Sequence, residues 1–334
     1  MSIENPSQRN SPTFGVRLPT SGPLATVSTV VSTVDTLAKL GYDSVWTNDH
    51  ISWIPDSLTH FSAGAMEAVA NQDPNFFESL TTASFILSRT PNIRVVISAL
   101  VLPLRDPRIL ARQLITIDAL SGGRLTLAMG MGGEEHDFEV LGVSWKERGK
   151  IGDEYLAALD AALFGNPLST YEGERIKFNG AGFYPKPSGL KKWIVGVSQA
   201  AFRRAGKWGD GWMETTKSPK SFGEHCKAFH ESLLKHGRSD ASVTCGGQVS
   251  ITIGTSYEHA VKLASRTLAR RFGTAENGLE AAAVGTSQQV AEKLNEYIDE
   301  GADHLGLKLI VKTREGFLEL AQQVKEEVLP LLDR

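Results

Sequence analysis

Strand and helix signals alternate along this chain from end to end, and that alternation constrains its fold more than any single residue does. Eight segments rich in apolar and β-branched residues are expected as strands: Thr13 to Leu18, Ser44 to Thr47, Asn92 to Leu102, Arg124 to Gly130, Trp193 to Val197, Gly211 to Glu214, Gly247 to Ile253 and His304 to Ile310. A helical pattern follows each one. After the first strand, Val27, Val30, Val31, Val34, Leu37 and Ala38 recur at helical spacing, and Gly41 supplies a stop. Further helices are expected over Pro74 to Arg89, Pro107 to Leu120, Arg148 to Phe164, Gln199 to Lys207, Pro219 to His236, Tyr257 to Phe272, Ser287 to Glu300 and Arg314 to Leu329. The last of these carries Phe317, Leu320, Ala321, Val324 and Val328 on one stripe.

A parallel sheet built from right-handed crossovers is either open or closed. An open doubly wound sheet calls for GxGxxG after its first strand, and Leu18-Pro19-Thr20 offers nothing of the kind. Eight β–α repeats without an extra terminal domain favour closure. The expected fold class is therefore α/β, a (β/α)8 TIM barrel with insertions at its C-terminal face. Such barrels run to about 250 residues as one domain, so 334 residues leave room for additions. Residues 1–12 are expected as a flexible N-terminal arm, and 13–334 as a single domain with an insertion near 167–187. Asn48 to Asp73 lacks clear periodicity and reads as a long functional loop.

Composition removes several function classes. Lys plus Arg is 35 and Asp plus Glu is 38, so the net charge is 35 − 38 = −3. No basic surplus recruits nucleic acid or an anionic membrane, and no apolar run is long enough to span a bilayer. The polar N-terminus has no apolar signal core, which points to a cytoplasmic protein. Cys226 and Cys245 stand alone, without a CxxC, and support neither a disulfide framework nor a zinc knuckle. No His-x-His follows the first strand, so no metal site is expected.

In a barrel the active site lies at the C-terminal ends of the strands, which selects candidates directly. The second strand ends in Asn48-Asp49-His50 with Trp53 close behind, and the third ends at Ala99-Leu100-Val101-Leu102-Pro103. The fourth ends in Gly130-Met131-Gly132-Gly133-Glu134-Glu135-His136, the fifth in Gly196-Val197-Ser198-Gln199 and the sixth at Met213-Glu214. Polar residues and glycines thus gather at one end of an apolar cylinder, as in a cofactor pocket. His50 suits proton transfer near neutrality, with Asp49 or Asn48 available to orient it; the alternative is a loop histidine that caps a helix or is simply solvated. Glu134, Glu135 and His136 form either a second acid/base set or a solvated face. Gly196 lets the backbone approach a ligand, and the helix opening at Gln199 presents N–H groups to an anion. Ser198 either binds a phosphate oxygen or merely caps that helix. Arg148 begins a helix, where a cation is mildly unfavourable unless an anion accompanies it.

Three stretches carry a family resemblance. Ala111-Arg112-Gln113-Leu114 followed by Asp118-Ala119-Leu120-Ser121-Gly122-Gly123-Arg124-Leu125 is one, and Gly41-Tyr42-Asp43-Ser44-Val45-Trp46 leading into Asp49-His50 is another. The third runs from Trp193-Ile194-Val195-Gly196 through Arg203-Arg204-Ala205 to Gly209-Asp210-Gly211-Trp212. Together they resemble the luciferase-like monooxygenase superfamily over roughly Thr13 to Leu329. The resemblance implies a barrel that binds a reduced flavin (FMN) or the deazaflavin coenzyme F420, and that forms a homodimer. It implies a backbone bulge or non-proline cis bond at Ala99-Leu100 against the flavin ring, with Gly130 to Glu134 passing beside ring or phosphate and Asp49 in the cofactor site. Arg148, Gly196, Ser198 and Gln199 match the phosphate site, although Ala201 stands where some members offer another hydroxyl. Asp49-His50 with an aromatic shortly after resembles the deazaflavin-dependent members, which implies catalytic roles for His50, Trp53 and Glu134. The expected activity is F420-dependent hydride transfer to or from a small organic substrate. Reduced-FMN-dependent monooxygenation and a non-catalytic flavin-binding barrel are the alternatives. Substrate identity is not legible.

Overall fold

The structure is a computed structural model and describes residues 11–52, 75–239 and 242–332. Most of the expected N-terminal arm, and Trp53 with the rest of its loop, lie outside the described residues. Eight parallel strands close on themselves: β1 (Thr13–Arg17), β2 (Ser44–Thr47), β3 (Arg94–Val101), β4 (Leu125–Gly130), β7 (Lys191–Val195), β8 (Gly211–Thr215), β9 (Thr244–Ile253) and β11 (His304–Leu309). They pair in that order, β8 with β9, β9 with β11, and β11 back to β1. Every strand expected from the sequence is present, with ends shifted by up to three residues. The helices are α1 (Val27–Lys39), α2 (Ser79–Arg89), α3 (Pro107–Ser121), α4 (Glu135–Leu141), α5 (Arg148–Phe164), α6 (Gln199–Trp208), α7 (Pro219–Lys235), α8 (Tyr257–Phe272), α9 (Ala275–Ala281), α10 (Ser287–Asp299) and α11 (Arg314–Gln323). No helix among the described residues is long and apolar enough to cross a membrane.

Local chemistry sets these boundaries. Asp106 accepts from the Arg108 N–H and Pro107 opens α3, so that helix starts with a capped and preset first turn. It ends at Gly122, which takes the left-handed conformation (φ 66°) that costs glycine nothing. The helix expected to end at Leu329 is α-helical only to Gln323 and continues as a π-helical turn over Val324–Val328. Phe317, Leu320, Ala321, Val324 and Val328 are nevertheless all buried, as their spacing requires.

Two kinds of core result from the alternation along each strand. Outward residues such as Val16, Val45, Ile97, Leu127, Ile194 and Val249 pack beneath the helices in the main cluster. Inward residues fill the cylinder, where Trp46, Val96, Ala128, Trp193 and Met213 form a separate cluster. Two indoles fit there only because facing strands carry glycine. A Cβ on Gly306 would lie 2.7 Å from the Trp46 ring, and one on Gly211 would lie 2.5 Å from Trp193. His304 stacks on Trp46 with ring centroids 5.5 Å apart, and Trp46 Nε1 donates to Ser44 Oγ at 3.0 Å. Burial, then the nearby charge of Arg94, push the His304 pKa down to about 3, so this imidazole is neutral and structural. The aromatic plug closes the N-terminal half of the barrel. Only the C-terminal mouth is left for polar chemistry.

The additions to the barrel enter at both ends. Residues 167–187 form a hairpin of β5 (Ser169–Glu172) and β6 (Lys177–Ala181), as the mixed signals suggested, in the connection from α5 to β7. It lies against α5, and Arg175 near its tip pairs with Glu147 and Glu154 at the start of that helix. At the C-terminal face, α8, α9 and the short β10 (Ala283–Gly285) are inserted between β9 and α10, with β10 parallel to the end of β9. Neither α9 nor β10 was expected, because seven and three residues are too short for periodicity to register.

Candidate active site

The third strand breaks its register at the mouth. Ser98 pairs with Ala128 and Leu100 with Met129, leaving Ala99 as the extra, bulged residue. The Ser98–Ala99 peptide is cis. The irregular bond therefore lies one residue before the expected Ala99–Leu100 position. Ser98 and Ala99 are partly accessible, whereas the Leu100 side chain is buried in the helix-facing core and cannot touch a ligand in the mouth. Beyond the bulge the alternation resumes one residue out of phase, which is why Leu100 turns outward.

Asp49 holds this strand end in place. Its Oδ2 accepts from the Val101 N–H at 2.9 Å and Arg105 Nη1 at 2.8 Å, and its Oδ1 accepts from Ser79 Oγ at 2.7 Å and Arg105 Nη2 at 2.6 Å. The bidentate pair is the strong form of the Arg–carboxylate contact. The carboxylate has no exposed surface. The expectation that Asp49 contacts the cofactor or orients His50 is corrected accordingly: it ties β2 to the end of β3 and the start of α2. Asn48 is likewise engaged elsewhere, accepting from Thr20 Oγ1 at 2.5 Å.

The group that orients His50 comes from a different strand loop. His50 Nδ1 lies 3.0 Å from Asp137 Oδ2, on α4 after β4. Asp137 Oδ1 accepts from the Ile51 and Ser52 N–H groups, both at 3.1 Å. Burial alone would raise the Asp137 pKa, but the hydrogen bond and charge of His50, with the Ser52 and Ile51 amides, hold it below the usual carboxylate range. An ionised Asp137 takes the Nδ1 proton of His50 as its hydrogen bond, so the imidazole lone pair falls on Nε2. Since β2 and β4 flank β3, the pair spans the end of the bulged strand. Sequence reading passed over Asp137 because nothing local links it to a histidine 87 positions earlier.

The β4 loop is shaped by Gly132. Its φ is +91°, and a Cβ there would lie 2.5 Å from the buried Phe138 ring. Gly132→Ala is expected to cost about 1–3 kcal/mol in urea unfolding, from backbone strain and overpacking; an unchanged midpoint would mean that the loop relaxes freely. Glu134, next in this loop, is partly exposed and precedes α4. His136 lies 3.5 Å from Glu139 on the exposed side of α4, which matches the solvated alternative.

The residues expected to bind an anion lie next to this loop, at the end of β7 and the starts of α5 and α6. Ser198 caps α6 by accepting from the Ala201 N–H at 3.1 Å. Gln199 and Ala200 are the first two residues of that helix, so their N–H groups have no intrahelical partner. Gly196 (φ +125°) turns the chain into this start. Arg148 stacks its guanidinium 3.7 Å above the Trp145 ring and donates to the Trp145 carbonyl at 2.9 Å. Its first helical turn is bound to α6, because Arg204 donates to the Gly149 carbonyl at 3.0 Å. Glu214 differs from its neighbour Met213 in facing outward, buried against His225 at 2.7 Å, and burial raises its pKa. It does not line the mouth.

Fold and mouth together define a TIM-barrel protein with a bulged third strand and a glycine-lined mouth beside the capped start of α6. A profile of the luciferase-like monooxygenases matches residues 9–304, and the chain belongs to that family. It is 24% identical over 241 residues to 5,10-methylenetetrahydromethanopterin reductase of Methanolobus tindarius, covering 72% of this chain but only 65% of that relative, less than two thirds of its length. The fold superposes on an F420-dependent secondary alcohol dehydrogenase in complex with an F420-acetone adduct, with a TM-score of 0.82, 16% identity, and coverage of 97% of this chain and 100% of the other. It is also similar to the oxygenating constituent of 3,6-diketocamphane monooxygenase from Pseudomonas putida in complex with FMN, with a TM-score of 0.75, 16% identity, and coverage of 97% and 99%.

Proposed function

We propose that this chain is an F420-dependent oxidoreductase that moves hydride between the deazaflavin and a small organic substrate. Three features fit such a cofactor. The Ala99 bulge presents backbone at the mouth, Gly130, Gly132 and Gly133 line the next strand end, and α6 opens with N–H groups oriented for a phosphate. When bound, a deazaflavin supplies hydride transfer without oxygen chemistry. Ala99, Gly130 and Gly132 would border the ring, while Gly196, Ser198, Gln199 and Arg148 would hold the phosphate.

The observation that carries the reading is the Asp137–His50 pair over the end of β3. Hydride transfer to or from a carbon bearing oxygen needs a partner for the accompanying proton. His50 Nε2 is positioned to take or give that proton, and Glu134, in the β4 loop that also carries Asp137, would assist. The names of the relatives support the same direction, since one is a reductase and the other an F420-dependent secondary alcohol dehydrogenase.

The FMN-bound oxygenase supports a second reading, a reduced-FMN-dependent monooxygenase that uses the same wall. Fluorescence titration of the purified chain with F420 and with FMN separates the two. One-to-one binding of F420 at least tenfold tighter than FMN is expected, and the reverse order would overturn the deazaflavin assignment. Tight F420 binding without turnover across alcohols, ketones and enones would favour a binding protein instead. In the same titration, Arg148→Ala is expected to weaken cofactor binding about ten- to hundredfold, the loss of one charge-assisted hydrogen bond. Equal affinity would remove Arg148 from the phosphate site.

A further inference from the structure

The wall of the mouth opposite the bulge and the glycines is cationic. Strands β9, β11 and β1 form it, on the far side of the barrel from β4. Gly15 and Gly306 face inward, since a Cβ on either would strike Trp46, so Arg17 and Lys308, two residues further along, face inward too and sit higher in the mouth. The pairing of Val16 with Leu307 brings these two cations side by side on adjacent strands. The third cation is Arg271, in the last turn of α8, the helix inserted at the C-terminal face. Arg17 Nη1 and Arg271 Nη2 donate to the same acceptor, Gln248 Oε1, at 3.2 and 2.9 Å.

Among the described residues nothing of opposite charge balances this cluster, and no carboxylate pairs with Arg17, Arg271 or Lys308. Arg271 Nη1 is buried without a hydrogen-bond partner, and the Lys308 ammonium donates to none of the described residues. Burial, then the charges of Arg271 and Arg17, hold the Lys308 pKa well below the usual lysine value. Arg271 is pushed down to about 9 by burial and by Arg17. Like charges converge in a half-buried place only at a cost to the fold, and one polar amide shared by two guanidinium groups does not offset it. A bound anion would.

We propose that Arg17, Arg271 and Lys308 form the subsite for an oxyanion of the substrate, a carboxylate or a phosphate. The assignment rests on the cofactor occupying the facing wall, as in the function proposed above. An anion held by β1, β11 and α8 projects the rest of the substrate across the mouth toward the bulge and His50. Because Arg271 is carried by the α8 insertion, that insertion sets specificity. The anchoring requirement also narrows the substrate class: a neutral alcohol or ketone would leave the three cations uncompensated, whereas a hydroxy- or keto-acid or a phosphorylated sugar would pair with them.

Calorimetric titration of the full chain without cofactor tests this, using inorganic phosphate and succinate as separate probes. One site is expected, and the tighter probe distinguishes phosphate from carboxylate recognition. Lys308→Met and Arg271→Gln are expected to weaken it about ten- to hundredfold, the worth of one charge-assisted hydrogen bond. Lys308→Met is also expected to raise the melting temperature without anion, since it removes an uncompensated charge, and this shows that the variant folds. F420 and FMN affinities should stay within about threefold in both variants. Equal anion affinity in parent and variants, or no binding of either probe by the parent, overturns the proposal. So does loss of anion binding in Arg148→Ala alone, which would place the anion at the cofactor's phosphate site, or a parallel loss of cofactor affinity in Lys308→Met and Arg271→Gln. If the parent binds phosphate or succinate at this cluster but neither F420 nor FMN, the oxidoreductase reading fails while the anion subsite stands.

Discussion

Replacing His50 with alanine is expected to lower turnover by about 10²–10⁴-fold, the usual contribution of a positioned acid/base group, while cofactor affinity changes little. The imidazole hangs over the end of β3, whereas α6, whose start is proposed to hold the phosphate, follows β7, so removal of the imidazole is expected to affect proton transfer and not anchoring. The defect should appear in single-turnover hydride transfer. Asp137→Asn tests the orienting carboxylate. Asparagine accepts the same hydrogen bond but carries no charge to stabilise the protonated ring, so the rate should fall. The two substitutions should be less than additive, because both act through one imidazole. A purely structural His50 would give the opposite pattern: a lower melting temperature with turnover per folded molecule intact. That result would remove His50 from catalysis.

The second large effect concerns stability. Asp49→Ala is expected to cost about 3–5 kcal/mol in urea unfolding, the range for removing one partner of a buried ion pair. The carboxylate is fully buried and accepts four hydrogen bonds, from Ser79, Val101 and twice from Arg105. Its loss leaves a guanidinium that is only 13% exposed with the more distant Glu78 at 3.5 Å as its remaining carboxylate, and a buried Val101 N–H without its acceptor. Because the Val101 N–H anchors the residue just past the bulge, cofactor affinity should fall as well. Asp49→Asn should recover part of the stability by keeping an acceptor for Val101. A cost below about 1 kcal/mol for Asp49→Ala would show that water replaces the carboxylate, and that β3 keeps its shape without this clamp.

The strands and most helices were legible in the sequence, because their boundaries depend on neighbours close in the chain. The eight strand patterns and the helix expected over Pro107 to Leu120 are local chemistry, and each is found within three residues of its expected bounds. Closure into a barrel followed from the repeat count. The rule that barrel sites gather at strand ends then placed His50, Ala99, Gly132 and Ser198 in the mouth without any knowledge of contacts.

Tertiary structure decided the roles. Asp49 and Asp137 are both aspartates near strand ends, and the sequence favoured the one adjacent to His50. Side-chain direction reversed that choice: Asp49 turns to Arg105 and Ser79, while Asp137 arrives from the next loop but one to meet the imidazole. The bulge moved the irregular bond to Ser98–Ala99 and turned Leu100 away from the mouth, because one extra residue flips every later side chain. Arg17, Gln248, Arg271 and Lys308 are scattered over almost the whole chain and carry no motif. Only barrel closure, which sets β11 beside β1 and lowers α8 over the mouth, brings three like charges together. Periodicity records which face of an element is apolar, but which faces meet is fixed by the register around the closed sheet, and that is where this chain keeps its chemistry.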